Sequence, residues 1–150
     1  MSATEFGGYR SGGFVEWDRR FVGLHDPPGD TTEFWDGIER GVLMIKRCGA
    51  CGITLHPRRL VCRRCMSMEL GWTQASGRGR LYSFSTILRP PHEEWADRVP
   101  YTIGMVELAE GPYLFSEILC DTTALSVGLE LELEVVVAPH GRLAKFRPTR

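Results

Sequence analysis

Arg47-Cys48-Gly49-Ala50-Cys51-Gly52-Ile53-Thr54-Leu55-His56-Pro57-Arg58-Arg59-Leu60-Val61-Cys62-Arg63-Arg64-Cys65 carries two Cys-x-x-Cys pairs with ten residues between Cys51 and Cys62. Each pair sets two thiols on one tight turn, and two such turns can close a tetrahedral Zn²⁺ site. Ten residues suffice for one short hairpin, a tighter span than the roughly 15–20 residues common in this spacing class. Cys48, Cys51, Cys62 and Cys65 would fill the coordination sphere of zinc. The metal would then hold structure, with no position left for water or substrate. His56, inside the hairpin, could replace a cysteine, but four cysteines already complete the site. Two disulfides are the alternative, and they require an oxidising compartment.

Nothing along the chain points to such a compartment. Met1 to Gly13 is polar and glycine-rich, without the apolar h-region of a signal peptide. No apolar run approaches the roughly 18 residues that span a bilayer. The expectation is a cytoplasmic protein with reduced thiols. At 150 residues the chain makes one domain or two very small ones, and 43% apolar with 25% charged residues is globular composition. Cys120, beside the apolar stretch Phe115–Leu119, reads as a small buried hydrophobe.

The net charge of −1 is unevenly spread. Residues 1–45 hold four arginines against eight acids, and residues 70–150 hold eight basic against ten acidic residues. Between them, Lys46, Arg47, Arg58, Arg59, Arg63 and Arg64 face Glu69 alone. A zinc ion with four thiolates carries −2, so part of this basic island offsets the metal site. The remainder could face an anion such as a phosphate.

Around the cysteine segment, periodicity divides the chain into a helical arm (1–42), a zinc ribbon (43–73) and a β section (74–150). Phe14, Trp17, Phe21 and Leu24 recur at helical spacing between Gly12-Gly13 and Pro27-Pro28. Asp30-Thr31-Thr32-Glu33 predicts a capping box with Asp30 as N-cap. Phe34, Trp35 and Ile38 follow on one face, and Gly41 ends the helix. Phe14, Trp17, Phe21, Phe34 and Trp35 either complete the protein's own core or dock on a partner subunit. Cys51-Gly52 fits a knuckle turn better than Cys65-Met66. A module this short buries too little to fold unaided, so metal supplies the missing stability.

The β section predicts five strands. In Leu129–Val137 the odd positions are apolar and Glu130, Glu132 and Glu134 share the opposite face. Leu81–Leu88, Tyr101–Leu108, Tyr113–Leu119 and Arg142–Phe146 are the others. Five short strands suit a closed barrel of the OB-fold kind, with a small sandwich as the alternative. Gly77 and Gly79 predict a bulge or sharp bend where the barrel begins.

Catalytic patterns are not apparent in the sequence. His25, His56, His92 and His140 have no spacing that pairs them with a nucleophile, His-Glu-x-x-His is absent, and Gly77-x-Gly79 alone is not a nucleotide fingerprint. The composition fits a binding or scaffold protein without chemistry of its own.

The ordered series Phe34-Trp35-Asp36-Gly37, Arg47-Cys48-x-x-Cys51-Gly52, Pro57-Arg58, Cys62-x-x-Cys65, Ser76-Gly77-x-Gly79, Tyr82-Ser83-Phe84-Ser85-Thr86, Pro100-Tyr101, Val106-Glu107-Leu108 and Val127-Gly128 resembles the DUF35 family. The match spans roughly residues 30–148. It departs from the family pattern at Met66 and at His56-Pro57-Arg58. The resemblance implies mainly β structure with short N-terminal helices, a rubredoxin-like ribbon holding structural Zn²⁺, and an OB-fold. It further implies an accessory subunit in a hetero-oligomer with a thiolase-like catalytic subunit, or with a MaoC-type hydratase, acting on acyl-CoA. The catalytic residues would belong to the partner. Arg58, Arg59, Arg63, Arg64, Arg78 and Arg80 are the residues that could contact CoA or its phosphates. Two other classes compete. One is a nucleic-acid-binding ribbon and OB module, against which the acidic β section argues. The other is a rubredoxin-like electron carrier with iron in the four-cysteine site.

Overall fold

The computed structural model describes residues 31–90, 93–138 and 141–149. Helix α1 runs Thr32–Arg40 and ends at Gly41 in the left-handed conformation. Its N-cap is Thr31, whose carbonyl accepts the N–H groups of Phe34 and Trp35; no side chain caps it. Arg40 holds the Glu33 carboxylate at 2.7 Å, and the expected capping box turns on Asp30. Asp30, and the helix expected around Phe14, Trp17 and Phe21, lie outside the described residues.

Ile38 and Gly37 are buried, and Glu39 accepts the backbone N–H of Arg142 at 3.1 Å. The helix thus lies against the last strand of the barrel. A methyl on Gly37 would stand 2.6 Å from Met44, so this residue sets how closely α1 approaches the first strand.

Three strands make the ribbon sheet: β1 (Leu43–Cys48), β2 (Thr54–Leu55) and β3 (Leu70–Ala75), in the order β2-β1-β3 and all antiparallel. Lys46 faces Trp72 across this sheet, its ammonium 4.9 Å from the ring centre, which lets a buried lysine keep a favourable neighbour. The sheet runs to Ala75, two residues past the expected boundary.

The second unit is a closed barrel of β4 (Arg78–Ile87), β5 (Tyr101–Leu108), β6 (Tyr113–Ile118), β7 (Glu130–Ala138) and β8 (Gly141–Pro148), in the order β4-β5-β6-β8-β7. All pairs are antiparallel except β6 with β8. This five-stranded closed arrangement is the OB-fold. Its inward side chains alternate as period two requires, and Leu81, Val106, Leu131 and Phe146 are fully buried. Ile38, Leu43, Ile45 and Ala75 belong to the same buried cluster, so helix, ribbon sheet and barrel share one core.

The sharp bend expected where the barrel begins is at Gly77, which takes a φ of 76° between β3 and β4, while the register shift of β4 falls at Tyr82, between Leu81 and Ser83. Gly79 serves close approach instead: a methyl there would lie 2.5 Å from the Glu107 carbonyl oxygen. Val137 continues the apolar alternation of β7 yet is 82% exposed, because the strand outruns the core.

Candidate metal centre and the surfaces it positions

The two cysteine turns repeat one backbone pattern. Cys48 donates its N–H to the Ile53 carbonyl and accepts that of Gly52, while Cys62 donates to Ser67 and accepts that of Met66, all at 2.9–3.0 Å. The residue after each second cysteine takes positive φ, 76° at Gly52 and 60° at Met66. The second knuckle therefore forms despite its methionine, with the strain of a left-handed side-chain-bearing residue.

The sulfurs of Cys48, Cys51, Cys62 and Cys65 all lie within 4.8 Å of one another. Cys48–Cys65 and Cys51–Cys62 are 3.6 Å apart. A disulfide needs about 2.05 Å. Zn–S bonds of about 2.3 Å place tetrahedral sulfurs about 3.8 Å apart, which these distances match. Cys48 and Cys62 are buried on a small apolar cluster with Leu55, so the ribbon has little core besides the metal site.

Burial raises the Cys62 thiol, but the N–H groups of Cys65 and Arg64 outweigh it and bring the pKa down to about 6. Hydrogen bonding, first from the backbone of Cys51, also lowers Cys48. The Ser67 N–H lowers Cys65, but burial and the three neighbouring thiols overturn that and push it up to about 12. Four thiolates this close cannot coexist without a cation among them, and a divalent metal supplies it. The donor set and its spacing fit structural zinc, held by these four cysteines.

Arg58, Arg59, Arg63 and Arg64 are exposed, and none pairs with a carboxylate among the described residues. Arg80 differs: Glu130 holds it at 2.7 Å. Arg78 lines a cavity of about 230 Å³ at the seam of ribbon and barrel, with Gly41, Ser76 and Glu132.

Phe34 packs against the shared core, and Trp35 meets it edge-on at 4.8 Å. For Phe34 the core explains the aromatic side chain. Phe14, Trp17 and Phe21 lie outside the described residues. His56 is lowered by burial and by Arg58 and Arg59, and its Nδ1 accepts the Arg58 N–H at 3.1 Å, away from the sulfurs. Cys120 packs against the core as expected of a small hydrophobe.

Two features escaped the sequence reading. The outer barrel surface exposes Tyr82, Tyr113 and Phe115, with the two tyrosine rings 5.0 Å apart. Glu110, on the turn between β5 and β6, bridges ribbon and barrel: its carbonyl accepts the Thr54 hydroxyl and its carboxylate accepts the Ser76 N–H. Outward aromatics at alternate strand positions were the available signal for the first. The turn composition carried none for the second.

Residues 35–70 match the family model described as the ChsH2 rubredoxin-like zinc ribbon domain, and residues 72–136 match the ChsH2 C-terminal OB-fold domain. The chain is 34% identical over 107 residues to a DUF35 domain-containing scaffold protein of Methanothermobacter thermautotrophicus, covering 69% of this chain and 80% of that one. It is 32% identical over 121 residues to a probable enoyl-CoA hydratase alpha subunit of Thermomonospora curvata, covering 79% of this chain but 37% of that subunit. Among solved structures, a chain of the Ltp2-ChsH2(DUF35) aldolase superposes with a TM-score of 0.70 at 30% identity, over 79% of this chain and 94% of that one.

Proposed function

The chain belongs to the DUF35 family, and on that premise we propose that it is an accessory, non-catalytic subunit of an acyl-CoA enzyme. Its partner is a thiolase-like subunit that makes or breaks the carbon–carbon bond and carries the catalytic residues. The observation that carries this reading is the closed four-sulfur site: every ligand comes from the protein, so the metal has no position to offer substrate. Among the described residues His56 is the one histidine, and a backbone N–H already occupies its Nδ1. The aldolase likeness supports a partner acting on carbon–carbon bonds. The exposed arginines Arg58, Arg59, Arg63 and Arg64 are available to the phosphates of CoA, as are Arg78 at the seam and Arg80, whose pair with Glu130 is exposed.

A second reading, an accessory subunit of a MaoC-type enoyl-CoA hydratase, draws on the likeness to a hydratase alpha subunit. Co-expression of the chain with a thiolase-like subunit, and separately with a hydratase catalytic subunit, from its own genome tests both. A fixed-ratio complex on gel filtration and acyl-CoA turnover that requires the chain support the partner that gives them. A chain that elutes alone beside fully active catalytic subunits overturns the proposal. Tight, steeply salt-dependent binding of single-stranded DNA would instead favour a nucleic-acid module.

A further inference from the structure

The ribbon sheet has two ends, and they are held differently. Leu43, Ile45 and Ala75, at one end, lie in the core shared with the barrel. Cys48, Leu55 and Cys62, at the metal end, form a separate cluster with Cys51, Ile53 and Leu70 packed against it. Core packing therefore does not tie the metal end to the barrel. Among the described residues, one hydrogen bond or ion pair joins residues 46–69 to the barrel: the Thr54 hydroxyl donates to the Glu110 carbonyl.

The neighbours of Thr54 belong to the metal site. The Ile53 carbonyl accepts the Cys48 N–H at 2.9 Å, and Leu55 is buried beside Cys48 and Cys62. Strand β2 is two residues long and pairs with β1 only as Thr54 with Arg47 and Leu55 with Lys46. So short a strand has little hold of its own. It keeps its place while the four sulfurs hold the hairpin closed.

Glu110 passes that constraint on. Its turn is fastened to the barrel by bonds that involve no ribbon residue: the Ala109 N–H to the Arg78 carbonyl at 2.9 Å and the Gly111 N–H to the Leu108 carbonyl at 2.8 Å. Its carboxylate accepts the Ser76 N–H at 2.6 Å, and Ser76 is where the chain leaves the ribbon for the barrel. The second carboxylate oxygen is buried with no partner among the described residues. A bare buried acceptor costs free energy, so the arrangement leans on the two bonds it does make.

We propose that Glu110 is a latch through which metal occupancy governs how the ribbon is held to the barrel. In the loaded protein Thr54, Glu110 and Ser76 close as one unit. In the metal-free protein β2 lets go of Glu110 and the Ser76 bond loosens, while the barrel stays folded. By linkage, a contact made only in the loaded state adds to metal affinity. Thr54 and Glu110 ligate nothing, yet both then help to set zinc affinity. The proposal rests on the four-cysteine site and not on the identity of any partner subunit.

The test measures zinc affinity of the full chain by competition with a chromophoric chelator. Thr54→Val removes the hydroxyl at nearly constant volume and is expected to weaken zinc binding about fivefold, the worth of one hydrogen bond. Thr54→Ser keeps the hydroxyl and is expected to bind zinc like the wild type. Glu110→Ala with Thr54→Val is expected to lower affinity by less than the product of the two single losses, because both act through one latch. In the wild type, chelation is expected to speed exchange of the Ser76 N–H several-fold. The Leu108 N–H, bonded to the Pro112 carbonyl at 2.9 Å, stays protected. In Thr54→Val, Ser76 is expected to exchange faster even with zinc bound. Melting of the zinc-free chain establishes that each variant keeps its barrel. Unchanged zinc affinity in Thr54→Val, or Ser76 protection that chelation leaves unchanged, overturns the proposal. An equal loss in Thr54→Ser assigns the effect to packing at β2 and overturns it as well.

Discussion

The carboxylate of Glu110, on the turn between β5 and β6, accepts a 2.6 Å hydrogen bond from the backbone N–H of Ser76, at the junction of ribbon and barrel. Its second oxygen is buried without a partner among the described residues. Because the Glu110 carbonyl also accepts the Thr54 hydroxyl of β2, one turn residue ties both ends of the ribbon sheet to the barrel.

Glu110→Ala removes the acceptor and leaves the Ser76 N–H unpaired, which costs about 1 kcal/mol or somewhat more. For a chain of this size that lowers the melting temperature by roughly 2–4 °C. Glu110→Gln keeps an acceptor and is expected to cost less. Thermal denaturation ranks the two, and hydrogen exchange should speed up at Ser76 in the alanine variant alone.

Metal analysis is expected to find one zinc per chain and no visible charge-transfer absorption; stoichiometric iron would point to electron transfer instead. Chelation should unfold the ribbon, whose buried cluster holds little beyond Cys48, Leu55 and Cys62. The barrel keeps its core of Leu81, Leu131 and Phe146. Loss of exchange protection in residues 48–65 with retention in β5 would show this.

Zinc loading near neutral pH should release protons, because Cys65 holds its proton up to about 12 in the metal-free site. Cys62, lowered to about 6, is already thiolate at neutral pH. A depressed acid favours the charged, metal-binding form above its folded pKa and loses it below. Zinc affinity should therefore fall as the pH drops through about 6. Calorimetry in buffers of different ionisation enthalpy counts the protons.

Met66 and Gly52 occupy equivalent turns, so their exchange should have opposite effects. A side-chain-bearing residue in the left-handed region costs roughly 1–2 kcal/mol, against about 0.5–1 kcal/mol for the extra freedom of glycine in the unfolded chain. Met66→Gly is expected to stabilise the zinc protein by up to about 1 kcal/mol. Gly52→Ala should destabilise it by about 1 kcal/mol. Denaturant midpoints with equal zinc content decide the signs.

Gly79→Ala would place a methyl 2.5 Å from the Glu107 carbonyl oxygen and 2.8 Å from Val106. Backbone cannot yield as a flexible side chain can. The expected loss is about 1–3 kcal/mol, with a melting temperature lower than that of any surface variant.

Strands written in strict alternation were legible. Tyr101–Leu108 appears with the expected bounds, because inward and outward positions each repeat every second residue. The same rule leaves the exposure of Val137 open, since alternation reports which side a residue points to and not whether anything covers that side. The bend at Gly77 was legible, whereas the register shift at Tyr82 is revealed only by pairing with β5. The pairing of Glu33 with Arg40 was not legible either, because a contact seven residues apart is not part of the local motif.

The metal site is a property of short chain segments. Two Cys-x-x-Cys turns place their sulfurs by local backbone geometry, so the sequence by itself determined the four ligands, the closed coordination and hence a structural role. It likewise determined five strands, because a period of two is local. Only the tertiary structure decided that β8 inserts between β6 and β7, that Glu110 ties the ribbon to the barrel, and that Tyr82, Tyr113 and Phe115 are exposed on the barrel surface with the two tyrosine rings in contact. Each of these depends on which distant residues become neighbours, and that is settled by packing the whole chain around one core.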